Sequence, residues 1–203
     1  MNMIRSICVY CGSSSGRSSV YGEAGYTLGR SMAKAGVRLV YGGGTKGIMG
    51  AVARGTIEGG GKVTGIIPRF LMNKEATESA LGKLDELIVT DDMHARKHTM
   101  FDRSDAFVAL PGGIGTLEEI VEIMTWAQLG QHRKPIVFAN INGFWDTMLK
   151  LLDHMREEGF VHTGHLVQPI VVDNADAIVP AVLADAAASG LPSEGDPRLI
   201  DRL

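Results

Sequence analysis

Short runs of almost unbroken apolar residues recur along this chain, and three of them end directly in glycine-rich turns. Ile7-Cys8-Val9-Tyr10-Cys11 runs into Gly12-Ser13-Ser14-Ser15-Gly16, Leu39-Val40-Tyr41 into Gly42-Gly43-Gly44, and Phe107-Val108-Ala109-Leu110 into Pro111-Gly112-Gly113. A strand without polar alternation needs cover on both faces, which a parallel sheet between two helical layers supplies. Residues 4–11, 37–41, 62–67, 106–110, 135–140 and 169–173 read as such strands, with stretches of helical period between them. The expected architecture is a Rossmann-like, doubly wound α/β fold with a parallel sheet. At 203 residues and 45% hydrophobic content, one domain over residues 1–190 accounts for the chain, and residues 191–203, with Gly195-Asp196-Pro197, read as a solvated C-terminal extension. Doubly wound folds bind ligands beyond the carboxyl ends of their strands, so function is to be sought in those turns.

Charge removes one class of partner. Twenty Lys and Arg face 23 Asp and Glu, a formal charge of −3, which gives no basic field for a nucleic-acid backbone. The apolar run after Arg5 is shorter than a signal-peptide core, and no segment reaches membrane-spanning length, so a cytoplasmic protein without membrane contact is expected. Cys8 and Cys11 have C-x-x-C spacing, but in a strand they point to opposite faces, which favours structural cysteines over a redox or zinc motif.

Each glycine turn can be weighed alone. The first, Gly12 to Gly16, could bind an anion or simply turn the chain. In the second, Gly42-Gly43-Gly44-Thr45-Lys46-Gly47, a G-x-G-x-x-G stands between a strand and a helix. A dinucleotide site is disfavoured because the next strand ends Ile66-Ile67-Pro68-Arg69 without an acidic residue for a ribose diol. Ile48 and Met49 likewise replace the Lys and Ser or Thr of a P-loop, which leaves close approach of backbone to a ligand. The third, Gly112-Gly113-Ile114-Gly115-Thr116, places exposed N–H groups at a helix start, an anion site of phosphate size. Its rival reading is a capping box in which Thr116 caps the helix and Glu119 reaches back.

Two helices flank this third turn. Downstream, Ile120, Val121 and Met124 form a stripe expected to face the sheet, while Glu119, Ile123 and Trp126 form a second apolar face expected to pack on another protein surface. Upstream, residues 92–100 place Arg96 and Lys97 among Met93 and Met100, and a ligand role for Arg96 is favoured. His94 and His98 have zinc-helix spacing, yet two cations and no Glu lie between or beside them, so no metal is expected there. His162 and His165 read as polar loop residues.

Met93-His94-Ala95-Arg96-Lys97, the run from Pro111 to Glu119, and Thr125-Trp126-Ala127-Gln128-Leu129-Gly130 together resemble the signature of the Lonely Guy family, the cytokinin riboside 5'-monophosphate phosphoribohydrolases. The resemblance extends from the first turn to Glu157-Glu158-Gly159-Phe160, although family members have often been labelled lysine decarboxylases. It implies hydrolysis of the N-glycosidic bond of AMP or an N6-substituted AMP in a homodimer, with no metal and no nicotinamide cofactor. By position it implies a catalytic pair, Arg96 and Glu119. It also implies substrate contacts from Ser13, Gly43, Thr45, Glu75, Lys97, Gly112, Gly113, Gly115 and Thr116, those from Gly112 onward holding the phosphate. A carboxylate near the sugar suits such chemistry because bond cleavage builds positive charge on the ribose. The rival class is a nucleotide-binding carrier or regulator without turnover. Lysine decarboxylation is the weakest option, since no pyridoxal-binding lysine pattern occurs.

Overall fold

The computed structural model describes residues 4–75, 77–161 and 168–189, the side chains of Asn73, Glu75, Glu78, Ala80 and Ser189 excepted. The expectations for the Glu75 side chain, for His162 and His165, and for the 191–203 extension therefore lie outside the described residues. The strands are β1 (Ser6–Tyr10), β2 (Arg38–Tyr41), β3 (Val63–Pro68), β4 (Glu86–Thr90), β5 (Ala106–Ala109), β6 (Ile136–Ala139) and β7 (Ile170–Val172). The α-helices are α1 (Ser19–Lys34), α2 (Gly47–Glu58), the short α3 (Met72–Glu75) and α4 (Glu78–Leu81), then α5 (Met93–Asp102), α6 (Ile114–Gln128), α7 (Asp146–Glu157) and α8 (Ile178–Ser189).

All strand pairs are parallel, in the order β4-β3-β2-β1-β5-β6-β7. The chain starts in the middle, winds outward through β2 to β4, then returns to lay β5 on the other side of β1, with Ile7 opposite Leu39 and Ala106. The order reverses between β1 and β5, the switch point at which doubly wound sheets hold ligands. Six strands coincide with the apolar runs to within two residues at either end. The seventh, β4, was not expected from the sequence: its Leu87-Ile88-Val89 is a half-exposed edge between polar flanks, so it lacks the buried-strand pattern.

Alternate strand residues enter two cores. Ile7, Val9, Leu39 and Val108 pack with Leu28 of α1, Val52 of α2 and Val182 of α8. Cys8, Tyr10, Val40 and Phe107 pack with Met100 of α5 and Ile120, Ile123 and Met124 of α6. Cys8 and Cys11 thus fall on opposite faces as free thiols, and burial pushes both pKa values up, making them poor nucleophiles. On the first face, α1 and α2 cross with their backbones almost touching, because a Cβ on Gly29 would come within 2.6 Å of Thr56 N. Of the helices among the described residues, none is long and apolar enough to cross a membrane.

Candidate active site

The three glycine turns meet at the carboxyl ends of β1, β2 and β5, and the first joins the other two. Gly12 N–H donates to Pro111 O at 3.0 Å, while Gly12 O accepts from Ile48 N–H at 3.1 Å and Met49 N–H at 3.2 Å. The start of α2 is thereby closed in part by the protein's own backbone, which engages two of the N–H groups, Ile48 and Met49, that a phosphate would need there. Gly47, at φ +57°, also lies so near Ser13 that a Cβ would come within 2.5 Å of its carbonyl carbon.

The start of α6 differs. Its N-cap is Gly113, in extended backbone, with no side-chain cap. Thr116 is therefore the third helical residue, buried beneath Gly112, whose added Cβ would come within 2.6 Å of Thr116 Cβ. This overturns the capping-box reading: the helix begins two residues before Thr116, so neither Thr116 nor Glu119 stands at the required position. Leu117 N–H makes the first helical bond, to Gly113 O, and among the described residues no acceptor is bonded to the N–H groups of Ile114, Gly115 or Thr116. A Cβ on Gly113 or Gly115 would meet nothing within 4 Å. The strand beneath is held from the side, where Trp145 Nε1–H donates to Ala109 O at 3.1 Å and Asn140 Oδ1 accepts Trp145 N–H at 2.8 Å.

One turn into α6 stands Glu119, 6% exposed, and opposite it on α5 stands Arg96, 4% exposed. Arg96 Nη2 lies 3.6 Å from Glu119 Oε1. Such burial costs each ion much of its hydration, which leaves both groups dependent on each other and on whatever else enters the site. Arg96 Nη1 faces Met93 Sδ at 3.7 Å, a weak acceptor, and among the described residues Arg96 Nε has no hydrogen-bond partner. Tyr10 and Cys8 lie on the same face of β1; burial raises the pKa of both, and the charge of Glu119 adds to it. Asp92, the N-cap of α5, accepts from Ala95 N–H at 2.7 Å and fixes the helix that carries Arg96.

The remaining expected residues separate. Gly43, at φ +76°, packs toward Ile67, and Ser13 and Thr45 stand in the turns beside it. Lys97 spans α5 and α6, its Nζ 2.6 Å from Glu118 Oε1 and 3.1 Å from Glu122 Oε1, and the bond to Glu118 raises its pKa. Its ammonium is thus already engaged by two carboxylates. The second apolar face of α6 also needs correction. Glu119 and Ile123 lie on the sheet-facing side with Thr116, Ile120, Met124 and Ala127, whereas Val121 is 40% exposed. Trp126 packs edge-on against Phe101 at 4.9 Å within the same chain. A separate cavity of about 490 Å³ opens at the amino ends of the strands, where Arg38 Nη1 donates to Thr64 Oγ1 and Arg103 pairs with Glu86. Among the described residues no group of three or more His, Cys, Asp or Glu side chains is arranged to hold a metal.

The family model described as "Possible lysine decarboxylase" matches residues 49–182. A cytokinin riboside 5'-monophosphate phosphoribohydrolase of Arabidopsis thaliana is 48% identical over 157 residues, covering 77% of this chain and 72% of the relative. One from Oryza sativa subsp. japonica is 47% identical over 157 residues, covering 77% of this chain and 64% of the relative. Among solved structures, the molybdenum cofactor carrier protein of Chlamydomonas reinhardtii matches with a TM-score of 0.69 at 22% identity, covering 91% of this chain and 99% of that one, a likeness of fold. With nearly half of its residues identical to these hydrolases over most of its length, the chain belongs to the Lonely Guy family, that of the cytokinin riboside 5'-monophosphate phosphoribohydrolases.

Proposed function

We propose that this protein hydrolyses the N-glycosidic bond of AMP and N6-substituted AMP, cytokinin riboside 5'-monophosphates included, to give the free base and ribose 5-phosphate. The observation that carries this reading is the buried Arg96–Glu119 pair one turn from a helix start whose N–H groups have no acceptor among the described residues. The 5'-phosphate is assigned to the N–H groups from Gly113 to Thr116, where the helix dipole favours an anion. Gly112 lets the turn close over Thr116, and the facing side of the phosphate is assigned to Ser13, Gly43 and Thr45. Glu75 is assigned to the base side, while Lys97 holds α5 against α6 through Glu118 and Glu122.

As the bond from ribose C1' to the base nitrogen breaks, positive charge gathers on the sugar, and the Glu119 carboxylate stabilises it while accepting a proton from the attacking water. That water supplies the oxygen on C1', and the proton Glu119 takes from it passes through solvent to the departing nitrogen, which leaves as neutral base while Glu119 returns to its carboxylate form. Arg96 cannot act as a general acid; its fixed charge orients Glu119, and its Nε–H, without a partner among the described residues, is offered to a substrate oxygen. Phosphate binding at a fixed distance from Glu119 converts binding energy into orientation.

The test is release of adenine from AMP, with adenosine in parallel. Two or more hydrogen bonds to a dianion are worth enough that kcat/KM for adenosine should be lower by about 10³. Comparable values would remove the phosphate from the turn, and absence of any base release would favour the carrier reading.

We assign the protein to the cytoplasm, in keeping with its two unpaired cysteines, and to a homodimer. The dimer reading rests on the outer face of α6, where Ile114 is 82% and Val121 40% exposed with Leu117 between them, an apolar stripe that a second copy of the chain would cover. Val121→Asp should shift the sedimentation coefficient toward monomer. A wild-type protein that is monomeric at micromolar concentration would refute this assembly.

A further inference from the structure

Gly42, the first residue after β2, has no side chain to contribute to chemistry, yet the space beside its Cα decides where the buried arginine lies. A Cβ built on Gly42 would overlap Arg96 Nη2, and it would stand 3.1 Å from Cζ and 3.7 Å from Nε. Its backbone is not in the left-handed region, so L residues can adopt its conformation and the need for glycine is one of volume alone. The nitrogen that a methyl group would evict is the one 3.6 Å from Glu119 Oε1. Little else in the chain holds that guanidinium by directed bonds, since Nη1 has only a thioether and Nε has no partner among the described residues. A planar cation with few directed bonds takes its position from shape. The second glycine turn, read from sequence as a close approach to a ligand, is at this position a close approach to the protein's own arginine.

We propose that Gly42 is a positioning residue for the hydrolysis, setting the guanidinium of Arg96 against Glu119. The role in hydrolysis rests on the reading of Arg96 and Glu119 given above; the contact itself does not. A methyl group at residue 42 pushes Nη2 away from the carboxylate and turns Nε from its orientation. The glycines at the start of α6 lie elsewhere, so phosphate binding is left intact.

The experiment is a double-mutant cycle of Gly42→Ala and Arg96→Ala, read by kcat and KM for AMP and by Tm. Gly42→Ala alone should lower kcat by about 10²-fold and change KM less than about threefold, because an electrostatic group is misplaced while the phosphate site is untouched. In the Arg96→Ala background the space is already empty, so Gly42→Ala should cost nothing further in kcat or Tm. Equal losses in both backgrounds would show that Gly42 acts independently of Arg96, and near-wild-type kcat for Gly42→Ala would overturn the positioning role. Should Arg96→Ala fail to fold with Glu119 stranded, Arg96→Ala with Glu119→Gln replaces it as the background for Tm. If the wild-type protein releases no base from AMP, the function fails, and the Tm cycle alone still accepts or rejects the Gly42–Arg96 contact.

Discussion

The second and third glycine turns look alike in the sequence, each leaving a buried strand and entering a helix, yet the fold uses them oppositely. At the second, glycines make room for protein: Gly42 for Arg96, Gly47 for the Ser13 backbone, and the start of α2 is filled in part by Gly12 O. At the third, Gly112 makes room for Thr116, but Gly113 and Gly115 face open space, and the first N–H groups of α6 have no acceptor among the described residues. A glycine motif therefore reports close approach without naming what approaches. Neighbouring backbone distances separate a turn that packs from a turn that receives.

The strongest way to break this contrast is through the carboxylate one turn inside the open helix. Glu119→Gln keeps the shape and removes the charge, so kcat should fall on the order of 10² to 10³. Tm should fall as well, because the neutral amide leaves the buried Arg96 guanidinium without its counter-charge, so kcat is compared below the Tm of both proteins. Near-wild-type turnover would make α6 as structural as α2. A paired test follows. Gly47→Ala forces a side chain into φ +57° against the Ser13 backbone and should cost about 1–3 kcal/mol of stability. Gly115→Ala, in a helical residue with nothing within 4 Å, should add about 0.5–1 kcal/mol while raising KM for AMP about tenfold by crowding the anion. If both variants lose stability with KM unchanged, the two turns are alike after all.

The smallest effect is one of pH on the far end of the same helix. His132 Nε2 donates to Ile123 O at 2.9 Å and Nδ1 accepts Lys134 N–H at 3.1 Å, so the ring is held neutral, and burial lowers its pKa below the ordinary 6.5. The folded state then binds fewer protons than the unfolded one. This contribution to stability is complete above pH 6.5 and is lost as the pH falls toward the lowered value. Tm measured from pH 8 to pH 5 should decline more steeply for the wild type than for His132→Gln, and identical slopes would remove His132 as the cause.

The sheet was legible because its strands are buried on both faces, which leaves continuous apolar runs that side-chain chemistry alone betrays. Strand β4 escaped because an edge strand needs no such run, and Glu86 and Thr90 shorten what remains. At α6 the sequence offered two apolar stripes, Ile120 with Val121 and Met124 against Ile123 with Trp126 and Glu119, and packing against the sheet divides them otherwise, taking Ile120, Ile123 and Met124 inward and leaving Val121 outside. At the helix start the sequence left an anion site and a capping box open, and only the fold removes the second, because Gly113 caps the helix without a side chain while Thr116 and Glu119 mimic a capping box by spacing alone. Arg96 and Glu119 stand on separate helices with a strand between them, so their contact is a property of the switch point, which no local pattern encodes; the family motifs carried it instead.

The placement of β1 at the centre of the sheet has a consequence during synthesis. Ser6 binds Asp105, 99 residues later in the chain, and β5 follows at once. At a ribosomal rate of roughly 5–20 residues per second, the β5 side of β1 stays bare for about 5–20 seconds while β2 to β4 assemble on its other side. An unsatisfied edge of Ile7-Cys8-Val9-Tyr10 is a template for strands of any other chain nearby. The time at which this protein most needs a chaperone is therefore the interval before Ala106 leaves the ribosome.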